Sequence, residues 1–159
     1  MSIAPTLARY LDQHASYEMM MHAPTPSSTQ TAEACHISGD QIVKGVVLRR
    51  GDGYLLAVLP ASHHIRMPEL LKQLGDGEGN GLTFASENEI DDLFRDCARG
   101  AIPPIGDCYG LDMIVDASID GQPDIYFEGG DHETLIHMDR AQFAALTADA
   151  PHCRFSAHD

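Results

Sequence analysis

Lys44 sits inside the apolar run Gln41-Ile42-Val43-Lys44-Gly45-Val46-Val47-Leu48, an unusual place for an ammonium. A strand here puts Ile42, Lys44, Val46 and Leu48 on one face, the side that reads as core. An unpaired cation there is costly. Lys44 therefore either snorkels to water from an edge strand or meets an anionic or polarised ligand in a cleft. A second stretch, Gly100-Ala101-Ile102-Pro103-Pro104-Ile105-Gly106, combines two φ-restricted residues without N–H groups and glycines without a Cβ. Such a stiff, bare loop suits a tight turn, and it equally suits a site that holds carbonyls and amides against a small ligand. His132 follows Gly129-Gly130-Asp131, a turn that presents an imidazole, with Glu133 placed to orient it; a turn histidine without chemical role fits the same residues.

Other chemistries lack support. His63-His64 fall on an extended segment, where neighbours point to opposite sides, and the nine histidines show neither H-x-x-x-H nor H-E-x-x-H spacing. Cys35, Cys97, Cys108 and Cys153 form no C-x-x-C pair. No metal centre is expected. Nucleophile-elbow, Walker A and dinucleotide fingerprints are absent from the sequence, so no cofactor is expected either. A formal charge of −14 speaks against DNA or any broad nucleic-acid surface, while leaving room for a local basic site. No apolar run approaches the length of a membrane span, and the N-terminus lacks a basic segment followed by an apolar one, which favours the cytoplasm.

One domain is expected from 159 residues. Leu7, Tyr10 and Leu11 behind Thr6 predict a short capped helix, the Ala23 to Thr29 stretch a loop, and Thr31 to Cys35 a second helix. Between them, Met19-Met20-Met21 suggests core or an adaptable pocket lining. Gln41 to Leu48 and Tyr54 to Leu59 flank Arg50-Gly51-Asp52-Gly53 as a hairpin. Pro68 opens a helix carrying Leu70, Leu71 and Leu74, ended by the glycine-rich stretch from Gly75 to Gly81. Ser86 and Glu89 form a capping box ahead of Ile90, Leu93, Phe94 and Cys97, whose spacing predicts a helix delivering Gly100. Strands over Met113 to Val115, Ile125 to Glu128 and Thr134 to Met138, then a helix capped by Asp139, complete an α+β pattern with a mixed or antiparallel sheet.

Several segments in order resemble the YbaK/ProX family, the free-standing relatives of the editing (INS) domain of bacterial prolyl-tRNA synthetase. They are His36-Ile37-Ser38-Gly39, Val43 to Leu48, Leu56 to Ala61, Ala85-Ser86-Glu87, Asp96 to Pro104 and Gly129 to His132, spanning about residues 17 to 147. The resemblance implies a single α+β domain with a barrel-like sheet and surrounding helices. It implies metal-independent hydrolysis, in trans, of the ester joining a wrong amino acid to tRNA. The family's G-x-x-x-P motif maps onto Gly100 and Pro104 and its key lysine onto Lys44. Catalytic roles are thereby implied for Lys44, Gly100 and Ala101, and substrate-binding roles for Gly45, Pro104 and His132. The implied partner is the acceptor end of an aminoacyl-tRNA, with an aminoacyl-tRNA synthetase compatible with that role. Gly45 stands where family members often carry Thr or Asn, leaving the amino acid and tRNA open. Two other classes remain alongside: a binding or regulatory module without turnover, and a hydrolase of small aminoacyl or other esters.

Overall fold

The computed structural model describes residues 3–75 and 81–159. Five α-helices and ten strands are present among them. The longest strands, β2 (Val43–Arg50) and β3 (Gly53–Pro60), pair antiparallel around Gly51, whose positive φ of 58° opens the two-residue turn. β3 also pairs in parallel with β6 (Asp112–Asp116), which in turn pairs in parallel with β9 (His152–Cys153). β5 (Thr83–Phe84) completes a five-stranded mixed sheet on the outer edge of β2.

A second, antiparallel sheet contains β1 (Glu18–Met21), β8 (Thr134–Asp139) and β7 (Asp124–Glu128) in that order, and β4 (His63–Ile65) pairs with β10 (Ser156–His158) as a two-stranded ribbon. The sheets remain separate and do not close into a barrel. A single parallel bridge, Ile42 to Tyr126, links the start of β2 to β7. The α+β class thus holds, with a mixed main sheet and an open edge where a barrel would close.

Alternation along β3 explains the layering. Leu56 and Val58 face a core shared with Leu7 and Leu11 of α1 (Pro5–His14), Phe127 of β7 and Phe143 of α5 (Arg140–Leu146). Leu55, Ala57 and Leu59 face a smaller core closed by Phe155 and by Leu70 of α3 (Met67–Leu74). Leu70 is the fully buried residue of that helix, and its burial contributes about 1.5–3 kcal/mol to docking it.

Several local expectations change. Thr6 does not cap α1: Pro5 occupies the first turn, and the Thr6 N–H donates to Asp96 Oδ2 at 2.8 Å, so the cap comes from a distant loop. Helix α2 (Ser28–Cys35) begins within the stretch expected to be loop, because Ser27 accepts from the Gln30 N–H and acts as its N-cap. Helix α4 (Glu87–Leu93) has the expected capping box but stops before Cys97, with Asp91 and Asp92 near its C-terminus and no basic residue in its last turn, an unfavourable charge pattern there. Met19, Met20 and Met21 are neither core nor lining: they lie on the exposed edge strand β1. Gly75, at φ 69°, ends α3, and the rest of the expected glycine-rich loop lies outside the described residues apart from Gly81.

Candidate functional site

An open cleft of 440 Å³ lies between β2, the N-terminus of α2, the β5–α4 junction and the loop after α4. Lys44, Gly45, Val46 and Val47 form its floor, and Gly100 and Ile102 one wall. Lys44 Nζ donates to the carbonyls of His63, at 2.7 Å, and Ala61, at 3.4 Å. Those bonds turn the ammonium toward the end of β3 and the start of β4 and leave one of its three N–H groups for a ligand. Burial pushes Lys44 below the usual lysine range, against a weaker pull upward from Asp159. Among the described residues no carboxylate lies within ion-pair distance of it, so the direct contacts to its charge are carbonyl dipoles.

Gly45 is where the proline loop reaches the sheet. A Cβ there would stand 2.9 Å from Leu56 Cδ1 and 3.3 Å from Pro104 Cα. Pro103 and Pro104 are buried beneath the cleft, so Pro104 shapes the floor without lining it. Gly100 has φ 79°, and a Cβ would meet the Pro26 carbonyl at 3.1 Å and His132 Cε1 at 3.2 Å. Ala101 is buried and spends its N–H on the Ala98 carbonyl at 3.1 Å. The amides of Gly100 and Ile102 make no hydrogen bond among the described residues, which leaves them as the loop's available donors.

His132 stands behind this wall. Its φ is 63°, its Nδ1 meets the Thr25 carbonyl at 2.7 Å, and its Nε2 meets the Arg99 carbonyl. Both partners are acceptors, so a neutral ring satisfies one and a doubly protonated ring satisfies both. The imidazole pins the loop before α2 to the loop after α4, and carbonyls orient it where Glu133 was expected to.

Sequence reasoning missed three parts of the cleft. Ser27, Ser28 and Thr29 line it as the first turn of α2, where the Ser28 and Thr29 amides make no hydrogen bond among the described residues and the helix dipole is positive. The Ser27 to Gln30 spacing signals a capping box, masked by Pro24 and Pro26. Phe84, 62% exposed, stands in the lining, and Glu87 is the carboxylate among the lining residues. A buried network supports the segment from above: Thr31 Oγ1 donates to Glu128 Oε1 at 2.6 Å, Thr25 and Thr31 share a hydroxyl hydrogen bond, and His22 Nε2 lies 3.5 Å from Glu128 Oε2.

The arrangement places a cation, unpaired amides, hydroxyls and an exposed aromatic face around one opening, with no thiol or imidazole among its lining residues. It can bind an anionic or polarised group and orient a water. The family of aminoacyl-tRNA editing domains matches residues 22–146. Comparison with curated proteins gives no match. Among solved structures, a scaffold protein from a study of computational epitope grafting aligns at 20% identity and TM-score 0.82, covering 97% of both chains. A provisionally named trans-editing enzyme for prolyl tRNA synthetase aligns at 22% identity and TM-score 0.81, covering 98% of this chain and 99% of its own. A provisionally named signal transduction protein from Marinobacter aquaeolei VT8 aligns at 18% identity and TM-score 0.77, with 98% of this chain covering 31% of that one. These likenesses establish the fold, and the match over residues 22–146 places the chain in the aminoacyl-tRNA editing domain family, with a YbaK-like fold.

Proposed function

We propose that this protein is a trans-editing hydrolase that removes a wrongly attached amino acid from tRNA by metal-independent attack of water on the ester. The observation that carries the reading is the ammonium of Lys44 beside the unpaired Gly100 and Ile102 amides in the cleft of an editing-domain family member. The acceptor end enters over the first turn of α2, where Lys44 and the Ser28 and Thr29 amides meet the terminal phosphate or ribose. Phe84 offers its face to the terminal base, and Glu87 offers a carboxylate to the α-ammonium of the aminoacyl group. Water adds to the ester carbonyl carbon, the carbonyl oxygen takes up negative charge against the loop amides, and as the bond to the ribose oxygen breaks that oxygen gains the proton the water gives up, releasing the amino acid and tRNA with a free ribose hydroxyl. One preorganised donor of this kind contributes ~10²–10³ in rate. An ester is already activated, so positioning a water suffices for the remainder.

The expected contact is small, because few cations are available on a chain of net charge −14 to neutralise tRNA phosphates. A second reading, a binding module without turnover, is favoured by the absence of imidazole or thiol in the lining. Incubation of the purified protein with a panel of aminoacyl-tRNAs separates the readings. Catalytic release of amino acid from a mischarged tRNA is the expected result. Binding without release supports the module, and activity confined to small esters supports a general esterase.

A further inference from the structure

We infer that Asp40, His63 and His158 form a binding site for one divalent transition-metal ion of the zinc class, separate from the cleft. The three residues each bring one ligand atom to within 4.8 Å of the others. They line a hollow of 350 Å³ beside the β4–β10 ribbon that shares no residue with the cleft. No sequence spacing announces the site, because the two histidines come from strands far apart in the chain and meet only when β10 pairs with β4.

Each ligand is positioned by its surroundings. Asp116, itself buried, accepts from the Phe155 and Ser156 amides at 2.9 and 3.0 Å and so fixes the start of β10. His63 is buried, and its Nδ1 is held by Ser156 Oγ at 2.8 Å, leaving Nε2 without a hydrogen bond among the described residues. That is the partner arrangement that orients metal-ligating imidazoles. Asp40 Oδ1 is held by Ser62 Oγ at 2.5 Å and by His158 Nε2 at 2.8 Å. The His63 and His158 rings already touch, with centroids 4.3 Å apart.

Bonds of about 2.0–2.2 Å in a tetrahedral site require ligand atoms about 3.3–3.5 Å apart. The atoms lie up to 4.8 Å apart and must close by up to about 1.3–1.5 Å, while His158 Nε2 and Asp40 Oδ1, 2.8 Å apart, must part by about 0.5 Å and give up their hydrogen bond; both movements are open to His158, whose side chain is 66% exposed. Two imidazoles and a carboxylate suit zinc, cobalt or nickel better than magnesium or calcium, and leave a fourth position for water. Exposed Arg154 lines the hollow and the Lys44 ammonium stands 2.7 Å from the His63 carbonyl; both oppose a bound cation, against the Asp40 carboxylate that would ligate it.

The inference stands independently of the reaction proposed for the cleft. Calorimetric titration of the metal-free full chain with zinc, with a parallel cobalt titration read by visible absorption, tests it. One equivalent is expected to bind at micromolar zinc with a rise in melting temperature, and cobalt to give the intense bands of a four-coordinate site. Outer partners of metal ligands alone are worth ~10–100-fold in affinity, so His158→Ala and Asp40→Asn should each weaken binding at least ~100-fold. Both residues are partly or well exposed, so the metal-free melting temperature should stay near the parent's. His14→Ala serves as control and should bind as the parent does. Absence of saturable binding, or parental affinity in either the His158 or the Asp40 variant, overturns the site.

Discussion

Among single residues, Lys44 and Gly100 line the cleft, while Ala101 and His132 lie outside its lining. A lysine in an apolar strand is a local oddity, legible without neighbours. That its ammonium would be turned by the His63 and Ala61 carbonyls was not, because those groups come from the next turn of chain and carry no side-chain signal. The Ala101 N–H donates to the Ala98 carbonyl within the turn, and the His132 ring bridges the carbonyls of two loops. Gly45 acquired a physical reason: the backbone of Pro104 occupies the space of a side chain. Gly45→Thr should therefore destabilise the fold by about 1–3 kcal/mol, since Leu56 can move but the Pro104 backbone cannot easily do so. Urea denaturation of parent and variant checks this, and equal stability would remove Gly45 as the reason for the close approach.

Elements built from local signals were read well, and those completed by distant ones were not. The β2–β3 hairpin, the capping box of α4 and the Asp139 cap of α5 all lie within a few residues of the motif that announces them. The parallel pairing of β3 with β6, the edge strand β1 and the Asp96 cap on α1 depend on chain far away. Helix α2 belongs to the second group as well, because its placement at the cleft rests on the buried Glu128 network. Burial raises the Glu128 carboxyl above its usual range, outweighing the opposing pull of Thr31 and His22. The protonated form is thus favoured by folding, and stability is lost as pH rises from the ordinary value of 4.5 through the raised one. Glu128→Gln, neutral throughout, should melt higher than the parent above that window and match it below. Melting curves for both proteins between about pH 4 and pH 8 test the sign, and a constant difference across the range would show that Glu128 does not titrate in it.

For the whole molecule, the α+β class and the single compact chain were readable from patterning, whereas the order of strands and the open sheet edges were not. The five-stranded sheet separates two cores, and the cleft sits where its outer strand, β2, meets two loops pinned together by His132. Overall charge and local charge oppose each other: a chain of net −14 presents a lysine and a helix N-terminus at one opening. On the proposed reading, a tRNA end at this opening would meet a lysine and a helix N-terminus on a chain that is acidic overall. The proposed function therefore turns on Lys44. Removing a half-buried cation leaves the packing of β2 in place, so its loss separates chemistry from folding. The most direct measurement is single-turnover release of amino acid from a mischarged tRNA by the parent and by Lys44→Ala, with both melting temperatures recorded. A rate at least ~100-fold lower in the variant at a near-parental melting temperature is expected, and parental release by a folded Lys44→Ala protein would rule out the role proposed for Lys44.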